Sequence, residues 1–470
     1  MRIIISIILL SFCIGYLFDD YQAMIALLLI LFVSQIVYSI RNLDRNITLL
    51  VFLIAFFTFL MGRVILPLFV DTSELIDIFG EADFSKETQI HICVSLFISL
   101  VFVWLGFCIG IKKVNKYPSC RIKHDGKVIT RVRFISKQIL YFTFVFSLVL
   151  SLEKVLFVLN NGYYALYLDY NSKLPYIVTL VAHCFEYAVM LFLATLPTKK
   201  ESIIPILLYL ILGISSIGTG QRSDFVLTIL MIITYLFLRN TLDNNESKWI
   251  GRKGLWIIGI SLPLLVLLLF LIAFLRMDVD VETSSNFLLT FMYQQGVSVD
   301  VIGYGYDYYE QFPPNRLYLL GDIIDYYRHN FIAQFLFDAK PVEPQSVERA
   351  LNDFSYDATL TYLVKPHLYL RGGGLGSCYI AEAWHDLGYI GVAFVNYVFG
   401  FILGRIPYWC RQNVWISSVA LLMFINIVYA PRSRTIKFVY VFFSLVVILF
   451  YIFVYIYSKR KKGYEYKVTL

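Results

Sequence analysis

RGGGLGSCYIAEAWHDLGYIGV, residues 371–392, is where a long polar segment gives way to an apolar run, and the fold follows from how that change is read. Three consecutive glycines and Gly376 allow backbone to approach a neighbour or ligand closely. Ser377, Glu382, His385 and Asp386 follow, and the chain is then almost continuously apolar to about position 404. The stretch is either a glycine-rich loop before the wet first turn of a helix, or a cluster of reactive groups beside lipid. The rest of the chain decides between these.

The chain has 470 residues, 59% of them hydrophobic and only 16% charged, with a mean hydropathy of +0.70. That is too apolar and too poor in charge for a soluble globular protein. Apolar runs long enough to cross about 30 Å of hydrocarbon, roughly 20 residues each, recur throughout. They are continuous rather than alternating, which excludes a barrel. About twelve spans are expected, near residues 3–18, 21–40, 47–70, 89–111, 138–159, 176–197, 203–218, 224–239, 254–275, 386–404, 414–430 and 437–457. The fold class is therefore an all-α polytopic integral membrane protein. The start, MRIIISIILLSFC, imitates a secretory leader, but the bulky Phe12 precedes Cys13 and more spans follow, so it reads as an uncleaved first helix. Seven cysteines show no metal-type spacing and imply no disulfide framework.

Lysine and arginine set the orientation. With both termini in the cytoplasm, Arg41, Arg45, the basic loop from Lys112 to Lys137, Lys199, Lys200, Lys248, Arg405, Arg411 and the tail from Lys459 fall inside. The acidic loop from Asp71 to Glu87 falls outside. Residues 276–385 then form one long outer connection between spans 1–275 and 386–470, rich in tyrosine (GYGYDYYEQFPPNRLY, 303–318) and broken by prolines. So long a connection should fold as a helical cap, with helices expected at 322–337 and 347–363. Its aromatic rings suit sugar faces and also a bilayer interface.

Two outer turns break the charge pattern. GTGQRSDF (218–225) carries Arg222 beside Asp224, and APRSRTIK (430–437) carries Arg432 and Arg434. Arginine grips phosphate through two hydrogen bonds and stays charged in a poorly solvated site. The two turns, with the glycine-rich stretch as a third wall, read as a diphosphate site at the membrane surface; headgroup anchoring is the plainer alternative. Asp278 and Asp280 form a DxD that could hold a divalent ion, although any charged helix end produces this spacing. His183 and Glu186 lie one turn apart within a span and are expected to share an internal hydrogen bond. Arg63 and Lys154 are expected to snorkel. Nucleotide-binding and zinc-protease motifs are absent from the sequence, and nothing points to nucleic acid.

At GTGQRSDF, YQQGVS (293–298), GGGLGSCYIAEAWHDLGYIGV and YAPRSR (429–434), the chain resembles the Wzy-type O-antigen and capsular polysaccharide polymerases. The family's G-S-x-x-x-E element reads Gly376, Ser377, Glu382 here, with one residue more before the glutamate. The resemblance implies a glycosyltransferase C-like membrane enzyme without cofactor or obligatory metal. It would act at the outer face of a bacterial plasma membrane, moving a growing glycan from undecaprenyl diphosphate onto a lipid-linked repeat unit; a chain-length regulator is a further partner it admits. On this reading Arg222, Arg432 and Arg434 hold the diphosphate, with Arg371, Ser377 and Asp224 beside them. Glu382 is base or orienter and His385 its competitor. An O-antigen ligase shares the layout, and a lipid-linked oligosaccharide flippase is a rival of another class.

Overall fold

A computed structural model describes residues 11–13, 15–71, 82–115, 126–220, 222–242, 248–251, 254, 256, 259, 287–338 and 342–459. The chain is all-α and polytopic: 83% helical, with no strand among the described residues. Nine described helical stretches are long and apolar enough to cross a membrane. The first seven contain α1 (Tyr21–Arg41), α2 (Leu43–Phe56, continued to Leu68), α3 (Lys86–Asn115), α4 (Gly126–Asn161), α5 (Tyr176–Ala194), α6 (Lys199–Gly218) and α7 (Arg222–Leu242). Between them and the last spans lie the shorter helices α8 (Phe287–Gln295), α9 (Asp300–Asp307), α10 (Gly321–His329), α11 (Phe331–Phe337), α12 (Val347–Asn352) and α13 (Tyr356–Val364). The chain then continues in α14 (Tyr379–Gln412), α15 (Val414–Tyr429) and α16 (Leu445–Lys459). The expected spans at 3–18 and 254–275 lie largely outside the described residues. The last expected span is shorter than its hydropathy suggests, because a 3-10 turn at Val441–Phe443 precedes the 15 residues of α16.

Local chemistry sets the helix starts. Asp20 accepts from the Ala23 amide at 3.0 Å ahead of α1, and Asn413 from the Ile416 amide at 2.8 Å ahead of α15. Thr198 and Glu201 close a reciprocal capping box on α6. In the cap, Asn330 ends α10 and caps α11, accepting from the Ala333 amide at 2.8 Å. The single helix expected at 322–337 is therefore two, and the one expected at 347–363 is divided at residues 353–355.

The centre of the bundle is α3 against α14. A side chain at Gly106 would run into the Tyr397 carbonyl, and one at Gly400 into the Val103 carbonyl; Gly110 and Gly404 meet in the same way one turn on. These two small-xxx-small pairs let the backbones touch. Asn396 adds hydrogen bonds to Ser99 (3.0 Å) and from Tyr379 (2.6 Å) inside the contact. Gly388, at φ 61 and ψ −155, breaks α14 in a conformation open essentially to glycine alone. Residues 379–387 thus meet the shorter helices, with Trp384 also against His91 of α3, while the rest of α14 packs along α3.

Candidate active site

Residues 377–387 and the turn after α15 are tied by one carboxylate. Glu382 is 1% exposed. Its Oε1 accepts from the Ser377 hydroxyl at 2.6 Å and its Oε2 from the Thr435 amide at 2.7 Å. The Thr435 hydroxyl in turn donates to the Tyr379 carbonyl at 3.2 Å. Two of the three expected walls, the glycine-serine stretch and the arginine turn, therefore meet in space. Both Glu382 oxygens are occupied by protein donors.

The two arginines of that turn have different surroundings. Arg434 pairs with Asp322 of α10 and, at 2.6 Å, with Asp357 of α13, and donates to Ser355 at 2.8 Å. Burial works against its charge, but Asp357 and Asp322 outweigh burial and hold it above the ordinary arginine value. Burial likewise pushes the Asp357 carboxyl up, yet Arg434 and the Ser355 hydroxyl leave it below the usual carboxylate range. The expected diphosphate ligand Arg434 is thus taken up by cap carboxylates and fastens the cap to the bundle. Arg432 is half-buried and has no carboxylate at ion-pair distance among the described residues. Its Nη1 donates to Gln295 of the YQQGVS segment at 3.3 Å, and its guanidinium lies 5.7 Å from the Phe59 ring centre. Phe59 is set by a π-helical turn at Phe57–Met61, a device frequent at functional sites.

Arg63 does not snorkel. It is 6% exposed, pairs with Asp300 at 3.0 Å and lies 4.1 Å over the Tyr293 ring. Gly296 makes room for it, since a side chain there would strike the Arg63 backbone and Cβ. A charge at the outer end of a span, followed far along the chain by Asp300, is the only trace of this pair in the sequence.

His385 is boxed by Tyr309, Phe312, Tyr318 and Tyr356, with ring centres 4.7–5.9 Å away. Its Nδ1 lies 3.1 Å from Asp386, which accepts from the Leu319 amide at 2.7 Å. Tyr309, Phe312 and Tyr318 of the tyrosine-rich stretch thus pack around a histidine. Arg371 is exposed, and Gly372 (φ 87) fits against Leu168 and the Tyr164 carbonyl beyond α4.

Arg222 is half-buried and Asp224 exposed at the start of α7. Asp224 lies within electrostatic reach of Lys437 and Lys154, and Glu186 of α5 within reach of Asp224 and Lys437. The internal hydrogen bond expected of His183 and Glu186 is not present: both side chains are exposed and neither hydrogen-bonds to a described residue.

For metals, Asp278 and Asp280 lie outside the described residues. Asp325, His329 and Asp353 of the cap bring three potential ligand atoms within 4.8 Å of one another. Arg328 stands 3.8 Å from Asp325 and 3.7 Å from Asp353, and His329 Nε2 lies 2.9 Å from Asp353. The positive charge a cation would bring is supplied there by the protein.

A family model described as O-antigen polysaccharide polymerase Wzy matches residues 1–464. No curated protein and no solved structure matches the chain.

Proposed function

The chain belongs to the O-antigen polysaccharide polymerase Wzy family, and on that premise we propose that it moves a growing glycan from undecaprenyl diphosphate to the non-reducing end of a lipid-linked repeat unit. The family makes it a multi-pass membrane glycosyltransferase-like polymerase acting on lipid-linked oligosaccharide. The outer face of the plasma membrane, with cytoplasmic termini, is the orientation that the lysine and arginine distribution favours.

The observation that carries the reading is Arg432. Its turn is held from behind by Glu382 through Thr435 and from above by the cap through Arg434. Gln295 and Phe59 position its guanidinium, leaving donors for a diphosphate. A glycosyl diphosphate brings its own leaving group, so catalysis consists of stabilising developing charge on the diphosphate, orienting the acceptor and accepting one proton. Arg432 does the first, with Arg222 and the exposed Arg371 as further cations. Ser377 and Glu382 act as the brace that fixes the turn, the orienting role, and His385 with Asp386 seats the cap. None of these tasks requires a metal.

The test is reconstitution. The purified full chain in lipid vesicles, supplied with lipid-linked repeats from cells lacking it, should yield a ladder of lipid-linked polymers with and without a chelator. Transfer only to a lipid A core acceptor would make it a ligase. No transfer at all would remove the reading.

A further inference from the structure

The arm that carries Glu382 and His385 owes its place to a reversal of the chain. In an unbroken helix Tyr379 and Asn396 would stand about 25 Å apart, at 1.5 Å per residue. Here the Tyr379 hydroxyl donates to Asn396 at 2.6 Å, and a side chain at Gly391 would strike the Ala383 carbonyl. Residues 379–387 therefore fold back on the start of the helix that follows Gly388. A glycine permits this elbow but does not hold it, so its rigidity comes from what packs there.

His91 of α3 packs at this elbow. It is 2% exposed, and its Nδ1 lies 2.8 Å from the hydroxyl of Tyr389, the residue directly after the elbow glycine. Its ring stacks on Tyr306 of α9 with centres 4.5 Å apart, and meets Trp384 of the arm edge-on at 4.5 Å. Trp384 lies between Glu382 and His385 in the chain, and Tyr309 joins it to His385, with ring centres 5.4 and 5.1 Å away. One imidazole on α3 thus touches α9, the arm and the helix beyond the elbow.

Packing alone does not account for a histidine here. Its Nε2 is buried and has no hydrogen-bond partner among the described residues, a cost that a leucine in the same space would avoid. What the imidazole supplies and a leucine cannot is the Nδ1 contact with Tyr389, whose hydroxyl is engaged there although the residue is exposed. Thr88, one turn earlier on α3, makes a separate hydrogen bond to Asp307 at the end of α9.

We propose that His91 is a positioning residue for the transfer reaction: with Tyr389 it locks the elbow at Gly388, and so fixes where Glu382 meets the arginine turn. It acts through the arm and not on the substrates. This rests on the polymerase reading above, in which the turn held by Glu382 through Thr435 presents Arg432 to the diphosphate. Displacing the arm moves that turn relative to both substrates, and an error of about 1 Å in such a place lowers a rate by up to about a hundredfold.

The experiment compares the parental full chain with Tyr389→Phe, His91→Leu, His91→Asn, Thr88→Val and the double variant carrying His91→Leu and Tyr389→Phe. All are reconstituted in vesicles with lipid-linked repeats from cells lacking the chain. The limiting rate of polymerisation, the half-saturating repeat concentration and thermal unfolding are measured. An inactive parent removes the polymerase reading, and this proposal with it. Given an active parent, Tyr389→Phe removes one hydroxyl and keeps the ring; it should lower the limiting rate about tenfold or more with the half-saturating concentration unchanged. His91→Leu should do the same, and the double variant should be no slower than His91→Leu alone, because the two changes remove one shared contact. His91→Asn, whose side chain places a polar atom near the position of Nδ1, should recover part of the rate. Thr88→Val should lower the melting temperature without lowering the limiting rate. Parental limiting rates in Tyr389→Phe and His91→Leu overturn the proposal, and if His91→Leu does not fold, Tyr389→Phe alone decides. Additive losses in the double variant overturn it too, as does an equal loss in Thr88→Val, which would make the elbow one packing contact among others.

Discussion

Arg434 joins Asp322 of α10 to Asp357 of α13, the latter at 2.6 Å, from a turn that belongs to the membrane bundle. One guanidinium thereby bridges two cap helices and the end of α15. A planar fork suits this role, because each of its edges can meet a separate carboxylate.

Arg434→Ala should therefore loosen the cap and leave two carboxylates without their counter-charge. The groups are partly exposed, so the cost lies between that of a surface pair and a buried one, about 1–3 kcal/mol. Thermal unfolding of the purified chain would show it, and adding Asp357→Asn should recover part of the loss. An unchanged melting curve would mean that the bridge contributes nothing to stability.

Arg432→Lys keeps the charge but loses the two-pronged grip. Truncating one partner of such a contact costs about 2 kcal/mol or more, roughly a thirtyfold loss of rate. The chain should fold normally, since Gln295 and Phe59 are the contacts found for this side chain. Full-length polymer at normal expression would reduce Arg432 to a headgroup anchor.

Glu382 separates a brace from a base. A glutamine there keeps an oxygen for the Thr435 amide and an amino group that can donate to Ser377, so both links survive. Glu382→Gln should retain polymerisation within about tenfold, whereas Glu382→Ala strands two buried donors at about 1–3 kcal/mol each and should abolish it. A folded Glu382→Gln protein that makes no polymer would return the base role to Glu382.

Acid should weaken the junction between cap and bundle. The Asp357 carboxyl is held below its ordinary range, so its contribution is fully present above the unfolded value near 4 and is lost as pH falls through the lower folded value. Asp325 works oppositely: burial and then Asp353 raise it, even against the Phe354 amide, so its protonation favours the folded cap as pH falls. Protease sensitivity of the cap below pH 4 should thus rise in the parent and change less in Asp357→Asn. Equal profiles would sever the link to Asp357.

The orientation can be read by labelling. Asn352 and Lys200 are exposed in the cap and at the start of α6. Asn352→Cys in intact cells should react with a membrane-impermeant thiol reagent, and Lys200→Cys should not. The native Cys378 is 0% exposed and should stay silent. Labelling at 200 but not at 352 inverts the topology.

The membrane class and the all-α, polytopic character follow from the sequence alone. Hydrocarbon demands long apolar helices with internally satisfied backbone, and that demand is written residue by residue. Gly106, Gly110, Gly400 and Gly404 acquire their role only where α3 and α14 pack backbone on backbone. Only tertiary structure decided the rest, because a side chain's role depends on what stands opposite it. Arg432 and Arg434 are alike in sequence, yet Asp322 and Asp357 claim one, while among the described residues the other meets Gln295 and an aromatic ring. Glu382 and Glu186 are alike as glutamates on helices. Thr435 and Ser377 close around the first, while the second is exposed and makes no hydrogen bond to a described residue, since partners that far apart along the chain meet only when the helices pack.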